Sequence, residues 1–307
     1  MTQFVQALIN GVALAAVYAL IALGFVVIYK SMQVLNFAQP GLLLLGVYWV
    51  IYFATVWNWP FWVAVLTAVG LSALTGVLLE RVFLRPMIGK PVFAVAIMTI
   101  GLDVVLRVIA TDLLGLNVRS VGDPWGLQIV GCGIGEFGCT TFGGFIVTQK
   151  QLAGVITAVV AFGALVAFFK YTRMGLAMRA TAFDQEVALT QGISVAAVFA
   201  FSWAIAAVFA MAGGVFLGAG IGVDRAVAVQ ALKALPVVVV GGLDSVAGAV
   251  VGALIIGIAE QLASTYQFQY FSFLGQGFAQ VVPYLVMFLV LLVRPYGLFG
   301  TKEVERV

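Results

Sequence analysis

Few residues in this chain of 307 combine reactive chemistry with a setting that gives it purpose. Asp103 and Arg107 stand four apart inside a long apolar run, so a helix puts them on one face. Charges in such a run are costly. They either pair with each other toward the bundle or line a polar path or subunit contact. Asn36 and Gln39 lie just before Pro40, which lacks an N–H and disfavours helix at the preceding residue. Their amides either satisfy loose backbone groups at a helix start or meet a passing solute. Gly241, Gly242 and Asp244 interrupt another apolar stretch, with Asp244 or Ser245 as the cap of the helix that follows. Glu260 falls near the end of that helix, where it can reach the interface. Cys132 and Cys139 share a Gly-rich segment; short spacing in an oxidising compartment favours a local structural disulfide over two unpaired thiols.

The longest charged segment free of a span is 170–194. Ala177 to Gln191 is rich in helix formers, and Gly192 is a natural stop. Helical spacing puts Ala180, Phe183 and Val187 on one face, with Arg179, Asp184 and Glu186 among the charges around it. A short capped helix between two spans either docks a soluble partner or lies as a connector on the membrane surface. The chain has no histidine, so imidazole is unavailable as proton relay or metal ligand. No catalytic constellation and no Gly-x-x-x-x-Gly-Lys-Ser/Thr nucleotide loop is present. No metal, cofactor or nucleic acid is expected on this chain.

The elements that carry these residues follow from composition. Hydrophobic residues make up 64% and charged residues 9%, and mean hydropathy is +1.16. Soluble domains are about one-quarter charged. A soluble enzyme, a disordered chain and a secreted disulfide scaffold are all excluded, and unbroken runs such as Val12–Ile28 exclude an outer-membrane barrel. The expected fold is an all-α polytopic bundle of about eight spans forming one membrane domain over 1–307. Apolar runs predict spans at 7–29, 42–57, 61–79, 92–112, 151–169, 195–219 and 278–293. The opening residues lack the basic region of a signal peptide, so the first span is expected to stay.

Basic residues set the orientation. Arg81, Arg85 and Lys90, then Lys170, Arg173 and Arg179, then Arg294, Lys302 and Arg306 mark cytoplasmic segments. The N-terminus and the 113–150 loop are then outside and the C-terminus is cytoplasmic. Parity requires that 228–262 reverse direction, as two pieces of roughly 228–241 and 245–262, the first short enough to be re-entrant. Ten Lys/Arg residues fall inside, four (119, 150, 225, 233) outside and Arg107 within a span.

Several motifs, in order, resemble the branched-chain amino acid permease family of ABC importers, the LivH type. They are Tyr18-Ala19-Leu20-Ile21-Ala22-Leu23-Gly24-Phe25, Asn36-Phe37-Ala38 with Gly41 and Gly46, and Glu80-Arg81 with Arg85-Pro86. Thr99-Ile100-Gly101-Leu102, Gly175-Leu176-Ala177-Met178-Arg179-Ala180, Val240-Gly241-Gly242-Leu243 and Arg294-Pro295-Tyr296-Gly297-Leu298-Phe299-Gly300 complete the set. Gln39-Pro40 departs from the family's His-Gly-type continuation, and Asp103 stands where a small or apolar residue is usual. Both departures bear on the substrate.

The resemblance implies a bacterial inner-membrane subunit working by alternating access for branched-chain or other small solutes. Its implied partners are a second homologous permease, two ATPase subunits that bind ATP and Mg, an exocytoplasmic solute-binding protein and membrane lipid. Segment 170–194 would be the ATPase-coupling element, with Arg179, Phe183, Asp184, Glu186, Val187 and Gly192 at the contact. Asn36, Gln39, Asp103, Arg107, Gly241, Gly242 and Asp244 would border the path. The competing reading is a stand-alone ion-coupled transporter or channel, for which buried carboxylates are few.

Overall fold

The computed structural model describes residues 2–115, 117–125, 145–220, 222–224, 226–270 and 277–301. Twelve helices run through them in order: α1 (Thr2–Met32), α2 (Gln39–Ile51), α3 (Phe61–Leu79), α4 (Val92–Leu114), α5 (Gln149–Tyr171), α6 (Arg173–Phe183), α7 (Gln185–Thr190), α8 (Val195–Gly218), α9 (Ala226–Ala231), α10 (Ala234–Gly241), α11 (Val246–Tyr270) and α12 (Phe278–Val293). Seven are long and apolar enough to cross a membrane, α2 and α3 by way of the π turns that extend them at Tyr52–Val56 and Glu80–Leu84. The bundle is polytopic and helical, as composition requires. Arg119 and Val223 form one isolated antiparallel bridge.

Helix α1 is apolar all round, and a helix of that kind has to be wrapped by others. It is: residues 15–27 are buried without a break, and α1 packs on α11, α8, α5 and α10. Its crossing with α11 depends on glycine. A Cβ at Gly11 would lie 2.8 Å from Ile258 Cα, and one at Gly257 2.7 Å from the Ala15 nitrogen. Small residues let the two backbones approach closely. The outer helices differ, since α3, α4, α5 and α12 carry exposed apolar faces marked by Leu66, Ile97, Val159 and Leu292. Those faces suit lipid or a neighbouring subunit.

Two expectations change and a third is narrowed. The single helix over 177–191 is two, because Asp184 takes an extended conformation and caps α7 through bonds from the Glu186 and Val187 N–H groups at 2.9 and 3.0 Å. The first piece of 228–262 is itself interrupted at Leu232-Lys233, between α9 and α10. Ser245, not Asp244, caps α11, accepting from Gly248 N at 3.0 Å. Cys132 and Cys139 and most of the loop around them lie outside the described residues. The part of that loop that is described packs back on the bundle, with Trp125 stacked on Phe216 at 5.1 Å.

Candidate functional site

The link between α1 and α2 does not stay at the membrane surface. Phe37 N donates to Thr99 Oγ1 at 3.1 Å, and Gly41 N to Asp103 Oδ1 at 2.8 Å. Thr99 and Asp103 sit seven and eleven residues into α4, roughly 10 and 16 Å along its axis. Irregular backbone therefore runs at membrane depth, where it survives only buried in protein or beside a wet cavity. Here it is buried. Asn36 Oδ1 accepts from Ala38 N, and Asn36 Nδ2 donates to Gln39 Oε1 at 3.1 Å. Gln39 Nε2 donates across to the Ala206 carbonyl of α8 at 3.2 Å. Both amides are fully buried and hydrogen-bonded. They build the helix start.

Asp103 extends the same network. One carboxylate oxygen holds the first turn of α2 and the other pairs with Arg107 Nη2. The ion pair is thus intrahelical, and it also ties α4 to α2. Burying the carboxylate is tolerable because both oxygens are occupied.

A second interruption at depth was not foreseen. Glu260 does not reach the interface. It lies fourteen residues into α11, buried, accepting from Tyr18 OH at 2.7 Å and ion-paired with Lys233. Lys233 accordingly sits inside the bundle, in the gap between α9 and α10, and not in an outer loop. The signal was legible: a Lys and a Glu stranded in neighbouring apolar stretches have to find each other. Both interruptions thus lie far from the helix ends that surround them.

Gly241, Gly242 and Asp244 belong elsewhere. The last carbonyls of α10, on Val240 and Gly241, accept from the Leu298 and Phe299 N–H groups at 2.9 and 3.0 Å. The C-terminal segment thereby completes an open helix end. Gly242 has φ +107, and a Cβ there would meet Gly300 N. Asp244 accepts from Thr301 Oγ1 at 2.6 Å, while its carbonyl accepts from Lys30 Nζ. The residues grouped as path-lining therefore split in two. Asn36, Gln39, Asp103 and Arg107 form one network, while Gly241, Gly242 and Asp244 anchor the C-terminal segment. Two of the seven border cavities: Asp244 a recess of about 240 Å³ against the C-terminal segment, and Arg107 one of about 520 Å³ walled by α2, α4 and α9.

The helical pair α6–α7 offers the other kind of surface. Met178, Thr181 and Ala188 turn inward, while Phe183 is 88% exposed beside exposed Val187, Leu189 and Leu176. Arg179 and Glu186 are also exposed, and Gly192 closes α7 with φ +80. Gly175 lets α6 fold tightly against the end of α5, since a Cβ there would meet the Phe168 carbonyl. Small residues elsewhere serve internal packing: Gly214 faces Val47 and Leu43, and Gly252 faces α10. Trp57, Trp59 and Phe53 cluster with ring centroids 5.0–5.3 Å apart, at a helix end where an interfacial belt belongs.

Residues 7–291 match the family model described as branched-chain amino acid transport system / permease component. The chain is 33% identical to the high-affinity branched-chain amino acid transport system permease protein LivH of Salmonella typhimurium, covering 99% of this chain and 98% of that one. It is 33% identical, with the same coverage, to LivH of Escherichia coli K12. It is 30% identical to the corresponding protein BraD of Pseudomonas aeruginosa, again over 99% and 98% of the two chains. Among solved structures, PsaBC from Streptococcus pneumoniae in complex with Fab shares 14% identity at a TM-score of 0.42, covering 94% of this chain and 89% of that one. That last likeness is too distant to carry any conclusion.

Proposed function

The chain belongs to the branched-chain amino acid transport permease family, and on that premise we propose that it is one of two permease subunits in an ATP-driven ABC importer for small apolar amino acids. Two ATPase chains supply hydrolysis, binding ATP and Mg themselves, and an exocytoplasmic binding protein delivers the solute. The membrane is the bacterial inner membrane, with the N-terminus outside and the end that carries α6, α7 and the C-terminal segment in the cytoplasm. The second permease covers the α4–α9 face. Arg107 lies on that face among Val104 and Val108, and a charge at this depth requires a cavity or another protein rather than lipid.

The observation that carries the reading is the exposed apolar edge of α6–α7. A large aromatic projecting from a short rigid helix pair is a plug without its socket. Filling a partner's cleft with Phe183 removes apolar area worth roughly 1.5–3 kcal/mol from water. ATP-driven closure of the ATPases then moves α6–α7. Because Gly175 and the Thr172 cap lock α6 to α5, the motion passes into the bundle as a rigid-body shift. A cysteine at Phe183, with a short crosslinker, tests it. The crosslink forms to an ATPase chain if the reading holds; crosslinks to lipid-facing segments only would refute it.

A further inference from the structure

We propose that the cavity walled by α2, α4 and α9 is a binding site for an apolar α-amino acid, with Arg107 holding the carboxylate and Asp112 the ammonium. The inference rests on the permease reading and assigns residues to it. The cavity, about 520 Å³, is within the usual range for small-molecule sites. Two of its walls are helices that abut the interrupted stretches: α2, which follows the buried link 33–38, and α9, which ends at the Leu232-Lys233 break, pack together beside it. Broken helices that meet at mid-depth are where transporters hold their solutes.

The lining has the chemistry of a zwitterion with an apolar tail. Val104, Arg107, Val108, Thr111 and Asp112 follow one another at helical spacing and line one wall, with Leu44 and Val229 opposite. Arg107 is held in place by Asp103, itself fixed to Gly41. Asp103 is its one acceptor among the described residues; its Nε is buried without a partner, and a third of its side chain remains open. A guanidinium so fixed, with donors to spare, suits a carboxylate. Asp112 is exposed and makes no ion pair among the described residues. It lies five residues further along α4, a rise of about 7.5 Å, which two long side chains close around one small molecule. Val104, Val108, Val229 and Leu44 give the apolar tail its wall.

The test uses the purified full chain in phosphatidylcholine nanodiscs. Modification of Arg107 by phenylglyoxal is followed by mass spectrometry. L-leucine is expected to slow it about tenfold, and leucinol, which lacks the carboxylate, is not. Asp112→Asn and Val108→Trp, both at exposed positions that leave the core alone, are expected to remove the protection. Equal protection by leucine and leucinol, or protection untouched by both variants, would overturn the site. Protection by added phosphatidylglycerol but not by leucine would assign the recess to a lipid phosphate instead, which also overturns it. If leucine protects but the assembled complex shows no ATP-dependent uptake, the importer reading fails and the site stands. Uptake without protection faults the site alone.

Discussion

At the scale of single residues, Phe183 and Gly242 separate two kinds of importance. Phe183 touches almost nothing in its own chain, so Phe183→Asp should leave membrane insertion and thermal stability unchanged. ATPase subunits should no longer co-purify, because a carboxylate buried unpaired in their cleft costs more than the lost apolar area. Normal co-purification and uptake would reduce α6–α7 to a surface connector. Gly242 is the opposite case. At φ +107, with Gly300 N where a Cβ would go, Gly242→Leu meets both backbone strain and a clash. We expect it to release the C-terminal segment from the α10 carbonyls and abolish transport while the ATPases stay bound at α6–α7. Protease sensitivity at Thr301 reads the release directly; an unchanged digestion pattern with normal transport would contradict it. The importance of Gly241-Gly242 was legible as a break in a charge-parity argument. Its partner was not, because nothing in the spacing says that Leu298 and Phe299 fold back across 58 residues to complete that helix end.

At the scale of elements, the two interruptions at depth depend on different chemistry. The 33–38 link is held by neutral groups: Asn36 accepts from Ala38 N and donates to Gln39, and Phe37 N donates to Thr99. The α9–α10 break depends on a buried ion pair. Removing one member of such a pair strands the other, typically at about 3–5 kcal/mol, whereas replacing both with neutral groups is far milder. Glu260→Met should therefore lower the unfolding temperature of the purified permease sharply, and Lys233→Met with Glu260→Met should recover most of it. No recovery in the double variant would place the importance of Glu260 in its bond to Tyr18 instead. Asp184 offers a smaller effect. Losing the cap of α7 in Asp184→Ala costs about 1 kcal/mol, seen as faster hydrogen exchange over Glu186–Thr190 with the rest of the bundle unaffected. Sequence favoured one helix there because Ala, Met, Leu and Glu are all good formers. A side chain that bonds two forward N–H groups ended it locally.

Viewed whole, the molecule buries α1 and α2 at its centre and turns the apolar flanks of its outer helices outward. Helix α1 is wrapped on every side, whereas α4, α5 and α12 present apolar flanks that only lipid or another subunit can cover. Seven apolar helices of sufficient length, the reversal near Gly241 and the exposed α6–α7 pair were all readable from hydropathy and charge. The descent of 33–38 to the level of Thr99, and the return of Leu298-Phe299 onto the end of α10, were not. Both arise from how neighbouring helices meet, which a one-dimensional pattern does not record. The central claim is that this bundle moves solute only when separate ATPases act on α6–α7. It is tested most directly by leucine uptake into proteoliposomes holding this chain, its partner permease and both ATPases, with loaded binding protein on the exocytoplasmic side. The account predicts uptake that requires ATP on the α6–α7 side and disappears with Phe183→Asp. Uptake by this chain alone, driven by an ion gradient and indifferent to ATP, would contradict it.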